Sequence, residues 1–288
     1  MTLTTSLKHK IKKARLTFGN NAILDDAETQ PEFTKFIDDL NKAFDKQIAE
    51  VLDDDRLVAD LMLLAQKAEG NQNVIRYLIG KFTPLADSLK EGVLLGFFIW
   101  SGTVGGQGTL DQMTIESKPF LLENEEIVNY LKNRSLDMAK LSDETTRERL
   151  AGVLEEGRKN LLTPQETATL IADRFKTINP NRAALIARNE LANAANAVGY
   201  EVFKRNGVTE VRWVTVMDDR VCPICSPLHN QVVGIDNNFT GKQSTDLGTK
   251  IVFEGERPPA HVNCRCYLEE VITGFDVSPD DKIIWTGQ

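Results

Sequence analysis

All four cysteines of this chain lie between residues 222 and 266, written Cys222-Pro-Ile-Cys225 and His261-Val-Asn-Cys264-Arg-Cys266. More than 220 residues precede the first of them, and His229 and His261, two of the three histidines, share the same stretch. Two close pairs of sulfur donors are what a tetrahedral zinc site requires. The last quarter of the chain is therefore constrained to bring two separate segments together.

The preceding residues follow a different rule. Phe33, Phe36, Ile37, Leu40, Phe44, Ile48, Val51 and Leu52 recur at three- and four-residue spacing, which predicts a helix opened by Pro31. Leu57 to Lys67, Val74 to Phe82 and Leu85 to Trp100 repeat the pattern. Gly102, Gly105, Gly106 and Gly108 then read as a hinge or loop, since no lysine follows to make them a phosphate cradle. Helices are expected again over Glu125 to Leu141, Asp143 to Asn160, Thr163 to Ile178 and Asn181 to Asn206. Thr163, Pro164 and Glu166 supply an N-cap, a first-turn proline and a capping-box carboxylate. Gly207 ends the last helix, whose many alanines favour helix and allow a neighbour to come close.

After Gly207 the texture becomes β-rich. Val208 to Met217 reads as a strand, with Gln231 to Ile235, Ile251 to Phe253 and Arg265 to Thr273 as further candidates. The expected fold class is α+β, a long mainly helical part followed by a small zinc-clamped β module. The segments are a basic flexible arm (1–30, with a short helix over Leu7 to Leu16), a helical region ending in the glycine-rich loop (31–110), a second helical part (111–207), the cysteine module (208–275) and a tail (276–288).

With 41% hydrophobic and 26% charged residues, the composition is that of a soluble globular protein. A net charge of −8 argues against wrapping nucleic acid with the whole surface, leaving Lys8 to Arg15 as a local basic run for DNA or an acidic surface. No apolar leader is visible at the start. Val93 to Trp100 is too short to span a bilayer.

Five donors are offered for the four places of a structural zinc: Cys222, Cys225, His261, Cys264 and Cys266. Cys222, Cys225, His261 and Cys264 make two matched half-sites, with Cys266 the substitute. His229 is a weaker sixth candidate, because Pro227 and Leu228 put it on another turn. Free thiols packed as small hydrophobes and two disulfides are the alternatives, although a Cys-x-Cys ring is strained. A closed zinc has no open coordination position and does not make the chain an enzyme.

The string WVTVMDDRVCPICSPLHNQVV, followed after a gap by RPPAHVNCRCYLEEV, resembles the C-terminal domain of the phage Mu F-like head morphogenesis family. Asp218, Arg220, Cys222, Cys225, Pro258, Pro259, His261, Cys264, Arg265 and Cys266 match its pattern. So does LTPQETATLIADRF, and RAALIARNELANAANAVGYEVFKRNGV carries Asn189 where threonine is usual. The resemblance spans about Lys118 to Thr273. It implies a non-enzymatic minor head (capsid) protein of a tailed bacteriophage, associated with the portal vertex and acting in head assembly and DNA packaging or delivery. The implied partners are the portal protein or major capsid protein and packaged DNA, with no membrane. The implied location is the virion, and the host cytoplasm during assembly.

Arg188 and Glu190 in the last helix read either as contacts to a partner or the β module, or as locally bridged charges. Two other function classes stay open. A zinc-held nuclease would use His229, Asn230, His261 and Asn263, and needs a free histidine base. A DNA-binding protein would use the zinc module with the basic arm.

Overall fold

The computed structural model describes residues 27–66, 70–79, 81, 83–89, 93–113, 125–216, 218, 220–245, 248–271, 275–277 and 283–285. Most of the 1–30 arm, including the helix expected over Leu7 to Leu16, lies outside these. Among the described residues the helices α1 (Pro31–Leu52), α2 (Asp55–Ala65), α3 (Gly70–Leu78), the short α4 (Leu85–Ser88), α5 (Val93–Gln112), α6 (Glu125–Lys159) and α7 (Pro164–Arg205) come before the strands. The strands follow: β1 (Glu210–Val214), β2 (Val232–Gly234), β3 (Phe239–Thr245), β4 (Gly248–Gly255), β5 (Tyr267–Glu270), β6 (Phe275–Val277) and β7 (Ile283–Trp285). A helical part followed by small antiparallel sheets is the expected α+β class. Among the described residues, no helix is long and apolar enough to cross a membrane.

The chain forms two compact units. One comprises Pro31–Phe97 and Tyr130–Ala187; the other comprises Phe98–Asn129 and Arg188–Gln288 with 27–30. In the first unit α1 buries Phe33, Phe36, Leu40, Phe44, Ile48 and Val51, the face that the spacing predicts. Ile48 and Val51 share a core with Leu57 and Leu61 of α2, Leu150 and Leu154 of α6, and Ile171 and Phe175 of α7.

Two helix boundaries expected from the sequence do not exist. Asp143 looks like the cap of a new helix, yet α6 runs through it. Its buried carboxylate instead accepts the Leu85 N–H at the start of α4 (2.9 Å) and Gln47 Nε2 (2.6 Å). A side chain employed across the unit in this way is not available to stop its own helix. Pro180 likewise sits inside α7 without ending it. The turn around it is held from outside: Asn179 Nδ2 donates to Asp45 Oδ1 (3.0 Å), and Arg182 donates to Thr146 Oγ1 (2.7 Å) and to the Ser142 carbonyl. These bonds and the packing beside them outweigh the loss of one backbone bond.

The hairpin between α6 and α7 follows its local signals. Thr163 N–H donates to Glu166 Oε2 (2.7 Å) and Glu166 N–H to Thr163 Oγ1 (3.3 Å), the reciprocal pair of a capping box. Leu162 N–H returns to the Gly157 carbonyl (2.9 Å), with Leu161 at φ 55° and 90% exposed. A β-carbon is strained in that left-handed position, which glycine usually fills. Leu161→Gly is therefore expected to stabilise the unit by about 1 kcal/mol, read as a raised denaturation midpoint.

In the second unit the four glycines expected to form a loop lie within α5. A β-carbon on Gly105 would come within 2.3 Å of the Ala195 backbone, and one on Gly199 within 2.5 Å of Thr109 Oγ1. Gly105 and Gly199 thus remove side chains where α5 and α7 cross, and the glycine run does not break α5. An isolated sequence cannot separate these two uses of glycine.

The three-stranded sheet has the order β2-β1-β5 and is antiparallel, with Val211 opposite Val233 and Glu270, and Trp213 opposite Leu268. Strand β1 turns Val211 and Trp213 inward and leaves Arg212 and Val214 half-buried, and Thr215 just beyond it is buried on the same side. Trp213 packs edge-on against Phe239 of β3 and Phe253 of β4, at ring separations of 5.2 and 5.3 Å. The β3–β4 hairpin extends the single strand expected at 251–253, and β6 and β7 pair across the boundary drawn at 275/276 and within the segment read as tail.

Candidate metal centre

The site grows out of the two ends of this sheet. Beyond β1 the chain turns through Cys222–Cys225, where Cys225 N–H bonds the Cys222 carbonyl (3.1 Å) and Cys222 Sγ (3.3 Å). Before β5 it turns through His261–Cys264, where Cys264 N–H bonds the His261 carbonyl (3.2 Å). Asn263 holds φ 62°, a left-handed conformation that asparagine tolerates better than most residues. Each turn points two donors the same way, and the β1–β5 pairing brings the turns together.

The five donors lie side by side in two groups, and the expected set Cys222, Cys225, His261 and Cys264 is divided between them. Their atoms form two overlapping triads, Cys222/Cys225/His261 and Cys225/Cys264/Cys266, each with members within 4.8 Å of one another. Cys225 belongs to both. His261 Nε2 is 3.0 Å from the sulfurs of Cys222 and Cys225, and the Cys225 and Cys264 sulfurs are 3.7 Å apart. With Zn–S at about 2.3 Å, adjacent sulfurs of a tetrahedral site stand about 3.8 Å apart. The Cys225–Cys264 separation fits that edge, while the thiol–imidazole separations are somewhat short of it.

Hydrogen bonding also suits a metal. His261 Nδ1 lies 2.7 Å from the Val262 carbonyl, which can only accept, so the proton sits on Nδ1. Nε2 is thereby the ring atom turned toward the two sulfurs, the orientation a metal ligand needs. Hydrogen bonds from Cys225 and Cys266 push the Cys264 thiol below its ordinary range, helped by the backbone N–H groups of Cys266 and Ala260. Cys225, on the other side of that bond, is pushed up. A cleft of about 20 Å³, room for one water-sized sphere, is lined by Cys222, Cys225, His261 and Cys266 with Thr215 and Arg265. Sulfur and imidazole donors around such a space could hold a metal ion.

His229 joins neither triad. Its Nδ1 accepts the Thr215 N–H at 3.1 Å, and burial, with the Arg212 charge second, lowers its pKa. The ring is thus a neutral acceptor that fixes the end of β1. Arg188 and Glu190 part company on α7: Arg188 is exposed and bridges to Glu28 (2.9 Å), while Glu190 is 4% exposed and accepts from Asn189 Nδ2 (3.1 Å).

Sequence reasoning missed two supports. Thr215 Oγ1 donates to the Cys225 carbonyl (3.2 Å) and touches Cys266 Sγ (3.4 Å); its place on the Val211–Trp213 face was the available signal. Asp218 receives a two-pronged bond from Arg265, at 2.8 and 2.6 Å, and a further bond from the Arg220 N–H at 3.0 Å. That pair joins the two cysteine turns beside the donors, which gives a physical reason for an aspartate before Cys222 and an arginine between Cys264 and Cys266.

The Arg265 guanidinium pushes the Asp218 carboxyl below its ordinary range, with Arg220 contributing less. A carboxyl lowered on folding contributes stability above its unfolded value and loses it as pH falls through the folded one. Asp218→Ala is accordingly expected to weaken any metal held by these donors about tenfold in competition with a chelator. Its stability deficit against the parent should be full at neutral pH and shrink below about pH 4.

Residues 144–269 match the family model described as phage Mu protein F like protein. No curated protein and no solved structure matches the chain.

Proposed function

We propose, from the match of residues 144–269 to the family model described as phage Mu protein F like protein, that this chain is a structural minor head protein of a tailed bacteriophage, associated with the portal vertex and acting in head assembly and in DNA packaging or delivery. The family match is the observation that carries the reading. The centre supports it as a structural clamp of Cys222, Cys225, His261 and Cys264, with Cys266 in reserve. When bound, zinc would supply structural cross-linking. The chain's own residues orient the donors: Val262 through His261, Asp218 through Arg265, and Thr215 through Cys225.

We propose a non-catalytic role for the module, since the nearest spare histidine, His229, is engaged by the Thr215 backbone. The portal protein or the major capsid protein is the partner expected, in the virion and in the host cytoplasm during assembly. Co-expression with the portal protein of the same phage, followed by affinity capture, tests this directly. Stoichiometric capture is expected; capture of neither portal nor capsid protein, with the chain absent from purified heads, would overturn it.

A further inference from the structure

We infer that the centre is built for two zinc ions that share the Cys225 sulfur, and that all five donors are used. The inference rests on the metal-centre reading and deepens it. The donors group as three and three, Cys222/Cys225/His261 and Cys225/Cys264/Cys266, and Cys225 is the member common to both. A single four-coordinate ion draws four donors into one group, with neighbouring sulfurs about 3.8 Å apart. Here His261 Nε2 keeps to the Cys222 and Cys225 sulfurs at 3.0 Å, and Cys264 Sγ keeps to the Cys225 sulfur at 3.7 Å. Each side thus offers three donors to an ion of its own.

The shared donor is of the right type. Sulfur carries several lone pairs and can bind two ions at once, whereas an imidazole nitrogen carries one and cannot. The outer donors are fixed independently of each other. Val262 holds the His261 ring through Nδ1 at 2.7 Å on one side. On the other, Cys266 is 2% exposed, with its carbonyl 3.4 Å from Asn196 Nδ2 of α7 and its sulfur 3.4 Å from Thr215 Oγ1. A one-ion centre leaves this buried sulfur idle beside its fellow donors; a two-ion centre employs it.

Three protein donors leave one place of a four-coordinate zinc to fill on each side. The cleft of about 20 Å³ touches both groups, being lined by Cys222, Cys225 and His261 and also by Cys266. It has room for one water-sized ligand, which can reach both sides.

The full-length chain is saturated with zinc, freed of loosely held ion by gel filtration, and its zinc counted by native mass spectrometry and elemental analysis. Two ions per chain are expected. Cys266→Ala and His261→Ala are each expected to hold one, because each spoils one triad and leaves the other whole. Replacement of zinc by NMR-active cadmium should give two resonances, each split by the other through the shared sulfur, and a single unsplit resonance in either variant. Should His261→Ala fail to fold, Cys266→Ala and the cadmium spectrum of the parent carry the test. One zinc per chain at saturation, unchanged in Cys266→Ala, overturns the proposal and leaves the single-ion clamp standing. Two ions without mutual splitting also overturn it, since no donor is then shared. A chain that takes up no zinc overturns the metal reading together with the proposal.

Discussion

Cys225→Ser is expected to abolish metal binding and to melt β1, β2 and β5 together with the last turns of α7. Cys225 is the sulfur common to both donor triads, so no rearrangement among the remaining four restores a site around it. Cys222→Ser and Cys266→Ser each leave one triad whole and should cost less. Structural zinc contributes about 10–16 kcal/mol of apparent binding free energy in small metal-dependent units, and that binding energy is folding energy. The melting reaches α7 because the module has no core of its own. Trp213, Leu228, Phe239, Cys225, Cys264 and Cys266 pack in one cluster with Tyr200, Val202 and Phe203 of α7 and with Met113. Gly207 thus marks a change of secondary structure, and the core runs past it. Amide exchange is the measurement: protection at Val211 and Trp213 should fall at least about a hundredfold in the variant and under chelator, while the core around Leu61 and Leu154 keeps its protection. Unchanged protection at Trp213 after the metal is stripped would show that apolar packing alone holds the module.

Gly105→Ala is the second large effect, and its sign is opposite to that expected from helix propensity. Alanine in a helix interior is favoured over glycine by about 1 kcal/mol. At Gly105, however, the new β-carbon would lie 2.3 Å from the Cα and carbonyl oxygen of Ala195, and backbone cannot step aside as a side chain can. Overpacking of this kind costs about 1–3 kcal/mol or more. A net loss of about 2 kcal/mol is expected, lowering the melting temperature of that unit by about 4–8 °C. Gly96, in the same helix with nothing within 4 Å of its would-be β-carbon, is the control. Gly96→Ala should stabilise by about 0.5–1 kcal/mol. Equal effects at the two positions would show that the α5–α7 crossing is not tight.

Much of this was legible from spacing alone. The apolar face of α1, the capping box at Thr163 and Glu166, the strand containing Trp213 and the five donors are local patterns, and local sterics and periodicity write them directly into sequence. The errors share one cause. Asp143, Pro180 and Gly105 each carry a strong local signal for a break, and each is overridden by a partner far away in sequence: Leu85 and Gln47, the bonds from Asn179 and Arg182, and Ala195. The β3–β4 hairpin was underestimated for a related reason, since its pairing and its packing on Trp213 are made with distant residues.

The centre divides along the same line. Sequence by itself determined the chemistry: which donors exist, that they come as two tight turns, and that their setting resembles that of the phage Mu F-like family. It did so because donor type and turn geometry are properties of a few adjacent residues. Tertiary structure alone decided that Cys225 stands at the junction of both triads, that His261 turns Nε2 toward the sulfurs, and that Asp218 and Arg265 tie the turns together. It also decided that His229 is spent on Thr215. These depend on the antiparallel pairing of β1 with β5, a contact between segments more than fifty residues apart. No local pattern encodes such a contact; it forms because the buried faces of the two strands, Trp213 and Leu268 among them, have nowhere else to leave water.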